Sequence, residues 1–266
     1  MKNETNNVSG LINAITTPFN KNNTVDEGAF KEHLIWLWGN GVKSILIAGT
    51  TGEFFSLTQD EKMALLKIAR DIFKGNIIFH GGSNVLKDTV NLAHFAKDSG
   101  ADYFASLLPF YLSKLPEAGI IKYLQTISES TDLPFIIYNF PLHTNVSLNC
   151  EILKQVNHFG IKDSSADLNL IKCTDNYFIG SDKKLLLSHA EGGIGFVSAR
   201  SNVRPFEYSR LSDLLKTDNL VQIKKSHLEI LGCCEKFSGE NQIKLIKKEL
   251  THTLKGYPEY VRLPLV

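Results

Sequence analysis

The sequence predicts an α/β protein, a (β/α)8 barrel with a short helical extension at its C-terminal end. Three observations carry this expectation. Eight apolar, β-branched runs alternate with helically periodic segments along 266 residues. The runs lack the period-two alternation of a half-exposed sheet, which points to strands covered on both faces. Right-handed β-α-β connections repeated in this way close naturally into a barrel. The competing arrangement, an open doubly wound sheet, calls for a G-x-G-x-x-G turn after the first strand, where this chain has Thr16-Thr17-Pro18-Phe19.

The elements follow in order. Leu11 to Phe19 is the first strand, stopped by Pro18, with turn residues from Asn20 to Thr24. Asp26-Glu27 open a helix striped by Phe30, Leu34, Leu37 and Trp38 and closed by Gly39-Asn40-Gly41. Ser44 to Thr50 is the second strand, and Ser56-Leu57-Thr58 leads into a helix with the stripe Leu65, Ile68, Ala69, Ile72. Asn76 to Gly82 precedes a helix ending at Gly100, and Ala101 to Leu108 is the fourth strand, ended by Pro109. A helix within 115–130, a strand over 133–140, a short helix over 147–156 and a strand ending at Lys162 come next. Strands at 176–182 and 193–199 flank a short helix at 185–190. Residues 1–204 thus read as the barrel and 205–266 as helices packed on it, with Leu211, Leu214, Leu215, Leu228, Ile230 and Leu231 as packing surface.

Composition narrows the function. The net charge is +1, from 29 basic and 28 acidic residues that are interspersed, so no nucleic-acid track or anionic membrane surface is implied. The four cysteines, Cys150, Cys173, Cys233 and Cys234, form no C-x-x-C pair and are expected to be reduced, with no zinc site. The start, Met-Lys-Asn-Glu-Thr-Asn-Asn, reads as polar and frayed, lacks an apolar targeting core, and points to the cytoplasm.

In such a barrel the chemistry gathers where the strands end. The second strand delivers Gly49-Thr50-Thr51-Gly52-Glu53, a loop with hydroxyls and amides suited to a carboxylate, although a tight turn explains the same glycines. The fourth delivers Pro109-Phe110-Tyr111, an aromatic pair at the rim or at a subunit interface. The fifth delivers Tyr138, and the sixth Lys162, which follows an apolar run and precedes Asp163-Ser164-Ser165. A lysine in a poorly hydrated pocket loses its proton more readily, and its neutral amine can attack a ketone. A tyrosine on the adjacent strand can exchange protons with it. A core-packing account does not require that pair.

Gly49-Thr-Thr-Gly-Glu53, Tyr138-Asn-x-Pro141 and Gly160-Ile-Lys-Asp163, in this order and each at a strand end, resemble the dihydrodipicolinate synthase / N-acetylneuraminate lyase family of class I, pyruvate-dependent aldolases. The resemblance spans the eight strands. It implies an imine between Lys162 and pyruvate or a 2-keto acid, with Tyr138 as general acid/base. It also implies that Thr50 and Thr51, with Gly49, hold the pyruvyl carboxylate, and that Thr50 relays protons. Tyr111 matches a tyrosine that reaches across a subunit interface, implying a homodimer or homotetramer, and Val197 matches a position whose carbonyl faces the reacting centre. No cofactor or metal is implied, because the covalent imine stabilises the developing carbanion.

One departure bears on the substrate. Dihydrodipicolinate synthases usually follow the Tyr-Asn-x-Pro motif with a segment whose arginine binds the carboxylate of aspartate semialdehyde. This chain has Leu142-His143-Thr144-Asn145, and histidine cannot reproduce the bidentate fork. The segment looks more like aldolases that cleave 2-keto-3-deoxygluconate, with His143, Ser164, Ser165, Ser181, Asp182 and Ser198 available to sugar hydroxyls or serving as ordinary loop polarity. Three readings follow: a sugar-acid aldolase, dihydrodipicolinate synthase itself, or a silent paralogue that senses a keto acid. A phosphate site at Gly192-Gly193-Ile194-Gly195 is a weaker fourth.

Overall fold

The computed structural model describes residues 8–112, 114–165 and 167–265; the polar start expected to fray, residues 1–7, lies outside them. Eight parallel strands close into a barrel in the order β1 to β8. They are β1 Gly10–Ala14, β2 Ser44–Ile47, β3 Asn76–His80, β4 Tyr103–Leu107, β5 Phe135–Asn139, β6 Gly160–Asp163, β7 Tyr177–Ile179 and β8 Gly195–Ser198. Between them run α1 Glu27–Gly39, α2 Gln59–Ile72, α3 Leu86–Asp98 and α4 Glu117–Glu129, then the short α5 Pro141–Thr144, α6 Cys150–Leu153 and α7 Leu185–Ala190. After β8 come α8 Pro205–Leu214, α9 Leu220–Cys234 and α10 Gln242–Thr253.

Local chemistry explains the helix starts. Asp26 caps α1 by accepting from the Ala29 amide, and Thr58 and Glu61 form a reciprocal capping box on α2. Each device stabilises its helix by about 1 kcal/mol. Most strands are shorter than their apolar runs, and the first two show why. The second stops at Ile47 because Ala48 turns left-handed, with φ 53°. The first stops at Ala14, and the rest of its run turns to other partners: Thr16 Oγ1 meets Tyr257 OH at 2.7 Å, and Phe19 bridges to Val25 and Tyr260.

Strand parity sorts the side chains. Ile12, Leu46, Ile78, Ala105, Ile136, Phe178 and Val197 point inward and fill the barrel, closed at the strand starts by Val8 and Tyr103. Their neighbours Leu11, Ile45, Ile77, Phe104, Ile137, Ile161 and Phe196 point outward into the larger core under the helices. Near-continuous apolar runs are therefore the expected pattern, since both faces are covered. Tyr138 and Lys162 share the inward parity of Ile136 and Gly160, so register alone aims them into the barrel's open end.

The segment from α8 onward packs against the barrel. Ser212 of α8 accepts the Leu11 amide at 2.9 Å, and Tyr208 packs on Phe196. Val203, Phe237, Ile246, Leu250 and Tyr257 form a separate apolar cluster beneath α10. In the stripe expected to pack, Leu211 and Ile230 are buried, whereas Leu228 is exposed.

Two expectations require correction. Cys150 and Cys173 are joined in a disulfide rather than reduced, because α6 and the turn after β6 bring their Cα atoms to 5.2 Å across 23 residues of sequence. Motif spacing does not register a pair that the fold assembles at that separation. The Gly192–Gly195 run leads into β8 instead of leaving it, so it lies at the strand starts, opposite the end where Lys162 sits.

Candidate active site

Tyr138 and Lys162 are directly paired across β5 and β6, and the Lys162 ammonium lies 3.6 Å from the centre of the Tyr138 ring. Both side chains are buried. Burial pushes the Lys162 pKa below the ordinary lysine value, partly opposed by Tyr138 and Asp163. Its Nζ donates to Ser164 Oγ at 2.5 Å. The hydroxyls of Thr50 and Tyr138 meet at 3.0 Å, so the loop after β2 is joined to the β5–β6 pair. Val197 lines the same small cavity as Tyr138 and Lys162, with Ile12, Leu46, Ile78, Ala105, Ile136 and Phe178 forming its apolar floor.

The β2 loop is a compact turn. Glu53 N donates to Thr50 O at 3.0 Å and Phe54 N to Gly49 O at 3.2 Å, while Thr17 Oγ1 donates to Gly52 O at 2.8 Å. Thr51 is buried beside Thr50 and Gly49. The structure thus gathers Lys162, Tyr138, Thr50 and Ser164 by direct contact, with Gly49, Thr51 and Val197 on the adjoining loop and wall. Three other sequence-predicted residues lie elsewhere. Tyr111 follows β4 with φ 91° and is 87% exposed. His143 is exposed on α5, edge-on to Phe140 at 4.2 Å. Asp182 is buried, accepting from Ser198, Arg200 and Tyr208 at 3.0–3.2 Å.

Several residues escaped the sequence reading. His80, fully buried at the end of β3, has its Nδ1 2.8 Å from Ala48 O, and its Nε2 is 3.2 Å from the Leu107 amide. Since Nε2 must accept from that N–H, Nδ1 carries the proton and the ring is neutral. Burial and the nearby Lys62 charge lower its pKa to about 3. His80 therefore ties the ends of β2, β3 and β4 together beneath Phe54 and Tyr138. Gly180, just beyond β7, is a glycine of necessity: a Cβ there falls 2.5 Å from Ser164 Oγ and 3.1 Å from Lys162 Cε. Behind Lys162, the buried Asp163 accepts from Asn139 at 2.6 Å, Tyr177 at 2.7 Å and Ser165 at 2.8 Å, which fixes the strand that carries the lysine. For His80 and Gly180 the only prior sign was a polar or small residue at the end of an apolar run, and for Asp163 its place in the Gly160-Ile-Lys-Asp163 motif.

The mouth above the pair is aromatic. Phe54, Phe110 and Phe140 pack with Leu107 and Tyr138, and Phe140 stacks on Tyr138 with ring centres 5.8 Å apart. A buried lysine whose pKa is lowered, a phenol and a threonine hydroxyl in a water-poor pocket form a set suited to covalent carbonyl chemistry with proton transfer.

Comparison with known proteins agrees with that chemistry. The model of the dihydrodipicolinate synthetase family matches residues 7–266. The 4-hydroxy-tetrahydrodipicolinate synthase of Methanothermobacter thermautotrophicus is 30% identical over 240 residues, covering 84% of this chain and 84% of that protein. The crystal structure of dihydrodipicolinate synthase from Aquifex aeolicus is similar at a TM-score of 0.89 and 27% identity, covering 97% of this chain and 92% of that one. CdNal from Clostridium difficile, in complex with mannosamine, gives a TM-score of 0.89 at 25% identity, with 97% and 93% covered.

Proposed function

This chain belongs to the dihydrodipicolinate synthetase family and is a pyruvate-dependent lyase with a Schiff-base lysine, and we propose that Lys162 is that lysine, with Tyr138 and Thr50 as its proton relay. One observation carries the assignment: Lys162 is a buried amine, register-paired with Tyr138, whose hydroxyl meets Thr50. The neutral amine attacks C2 of pyruvate, and the carbinolamine loses its hydroxyl as water after taking a proton from Tyr138. The iminium withdraws electrons from C3, which gives up a proton to the Tyr138 phenolate to form the enamine. The enamine carbon adds to the aldehyde, and the new alkoxide takes a proton from Tyr138. Water then attacks the iminium, giving a proton to the Tyr138 phenolate, and the carbinolamine collapses to free Lys162; cleavage is the same path reversed. Thr50 and Thr51, with Gly49, hold the pyruvyl carboxylate, and Val197 supplies part of the wall.

For the aldehyde, our reading is a hydroxylated chain, so that the substrate is a 2-keto-3-deoxy sugar acid such as 2-keto-3-deoxygluconate. His143 stands in the segment where dihydrodipicolinate synthases usually place a carboxylate-binding arginine, and Ser164 and His143 offer hydrogen bonds in place of that fork. A second reading, condensation of pyruvate with aspartate semialdehyde, is favoured by the 30% identity to a 4-hydroxy-tetrahydrodipicolinate synthase. The exposed, left-handed Tyr111 supports assembly into a homodimer or homotetramer that covers it. The deciding assay couples pyruvate release from 2-keto-3-deoxygluconate to lactate dehydrogenase and, in parallel, follows pyruvate consumption with aspartate semialdehyde. Higher kcat/KM on the sugar acid is expected, and turnover confined to the semialdehyde replaces the first reading with the second.

A further inference from the structure

The turn that carries Thr50 and Thr51 is strained at both ends. Ala48 and Glu53 have φ 53° and 57°, in the left-handed region that a β-carbon disfavours. Such a turn persists only where its surroundings hold it. The Glu53 amide bonds locally to Thr50, while Thr17 from the segment after β1 donates to Gly52 O and His80 of β3 holds Ala48 O. The Glu53 end is also held from the far end of the chain. The Glu53 carboxylate is fully buried and accepts from Lys247 Nζ of α10 at 2.5 Å through Oε1 and from the Arg262 amide at 2.9 Å through Oε2. Lys247 also donates to Tyr260 O at 2.8 Å and lies 4.3 Å over the Phe19 ring, so its ammonium has one carboxylate, one carbonyl and one aromatic face as partners.

Neither Glu53 nor Lys247 lines the cavity around Lys162. A buried ion pair is weak as a source of stability, since desolvation offsets most of its attraction, and its best-attested use is to fix one arrangement among alternatives. Here the arrangement it fixes is the turn whose Thr50 hydroxyl reaches Tyr138.

We propose that Lys247 and the Arg262 main chain are positioning elements of the keto-acid site: by clamping the Glu53 carboxylate they hold the turn that presents Thr50 and Thr51 to the substrate carboxylate. The inference rests on the reading that this loop binds pyruvate. It predicts that loosening the clamp weakens pyruvate capture at low concentration far more than it lowers imine formation at saturation.

The test titrates pyruvate in a borohydride-trapping assay with mass mapping of Lys162, on the wild type, Lys247→Met and Glu53→Gln. Lys247→Met is expected to raise the half-saturating pyruvate concentration roughly ten-fold or more, with the fraction trapped at saturation near that of the wild type. Glu53→Gln keeps one acceptor oxygen and is expected to raise it roughly two- to ten-fold. A merely stabilising pair lowers Tm and leaves half-saturation of the folded protein where it was. Should Lys247→Met not accumulate as folded protein, Glu53→Gln decides alone. A labelled Lys162 with unchanged half-saturation in the folded variants overturns the inference by itself. An unlabelled Lys162 in the wild type overturns the pyruvate reading, and the inference with it.

Discussion

Two parts of the site are built in opposite ways. Lys162 and Tyr138 stand on adjacent strands, and their aim follows from strand parity and a direct register pair. Thr50 and Thr51 stand on a loop whose backbone is left-handed at both ends and whose buried anchor, Glu53, is held by residues 194 and 209 positions away. The strand pair is fixed by the barrel's hydrogen-bond ladder, which cannot shift by one residue without turning every side chain over. The loop is fixed by a few specific contacts, each replaceable by one substitution. On the proposed assignment, the covalent chemistry sits on the rigid part, and recognition of the keto acid sits on the part that depends on the C-terminal segment.

The sharpest way to break the strand pair is Lys162→Ala, which is expected to reduce turnover to that of an enzyme-free control while leaving the fold intact, as checked by circular dichroism. Tyr138→Phe separates the pair from the loop. It removes the hydroxyl that meets Thr50 and is expected to lower kcat about 10²–10⁴-fold while borohydride still traps part of the imine; unimpaired turnover would remove Tyr138 from the mechanism. Gly180→Ala probes the room left for the lysine. Its Cβ would press on Ser164 Oγ and Lys162 Cε, so kcat/KM is expected to fall about 10- to 100-fold, with about 1–3 kcal/mol of destabilisation from overpacking.

The pH dependence sharpens the same comparison with a smaller effect. Burial lowers the folded-state pKa of Lys162 below its unfolded value, so between those two values the unfolded chain binds more protons, and this group's contribution to stability rises with pH. The trapping rate at limiting pyruvate is expected to rise with pH through the lowered pKa and to level off below 10.5, the ordinary lysine value; a rise continuing through that value would mark an ordinary, hydrated lysine. For the same reason Lys162→Met is expected to raise Tm at neutral pH by about 2–4 °C, the shift that about 1 kcal/mol produces in a chain of this size.

The barrel was legible because its signal is repeated: each apolar run and each helical stripe is local, and the short helix Leu185–Ala190 lies where the pattern put it. Lys162, Tyr138 and Thr50 were legible because strand ends in a barrel converge. The roles of His80 and Gly180 were not, since each depends on what lies across the barrel mouth: Ala48 and Leu107 for one, Ser164 and Lys162 for the other. The Cys150–Cys173 bond and the Glu53–Lys247 pair were hidden for the same reason, as both join segments far apart in sequence. Asp182 shows the converse limit. A polar residue at a strand end invites a ligand role, yet its carboxylate is engaged by Ser198, Arg200 and Tyr208 within the protein.

The central claim is that Lys162 is the amine that bonds to pyruvate, and the direct measurement is tryptic mapping of the protein after incubation with pyruvate and borohydride. The account predicts a reduced pyruvyl adduct on Lys162, read as a missed cleavage there in the peptide that runs on to Lys172. An adduct on Lys62 or Lys247 instead, the other buried lysines, each with a pKa lowered to about 8 by burial, or no adduct on folded protein, would contradict it.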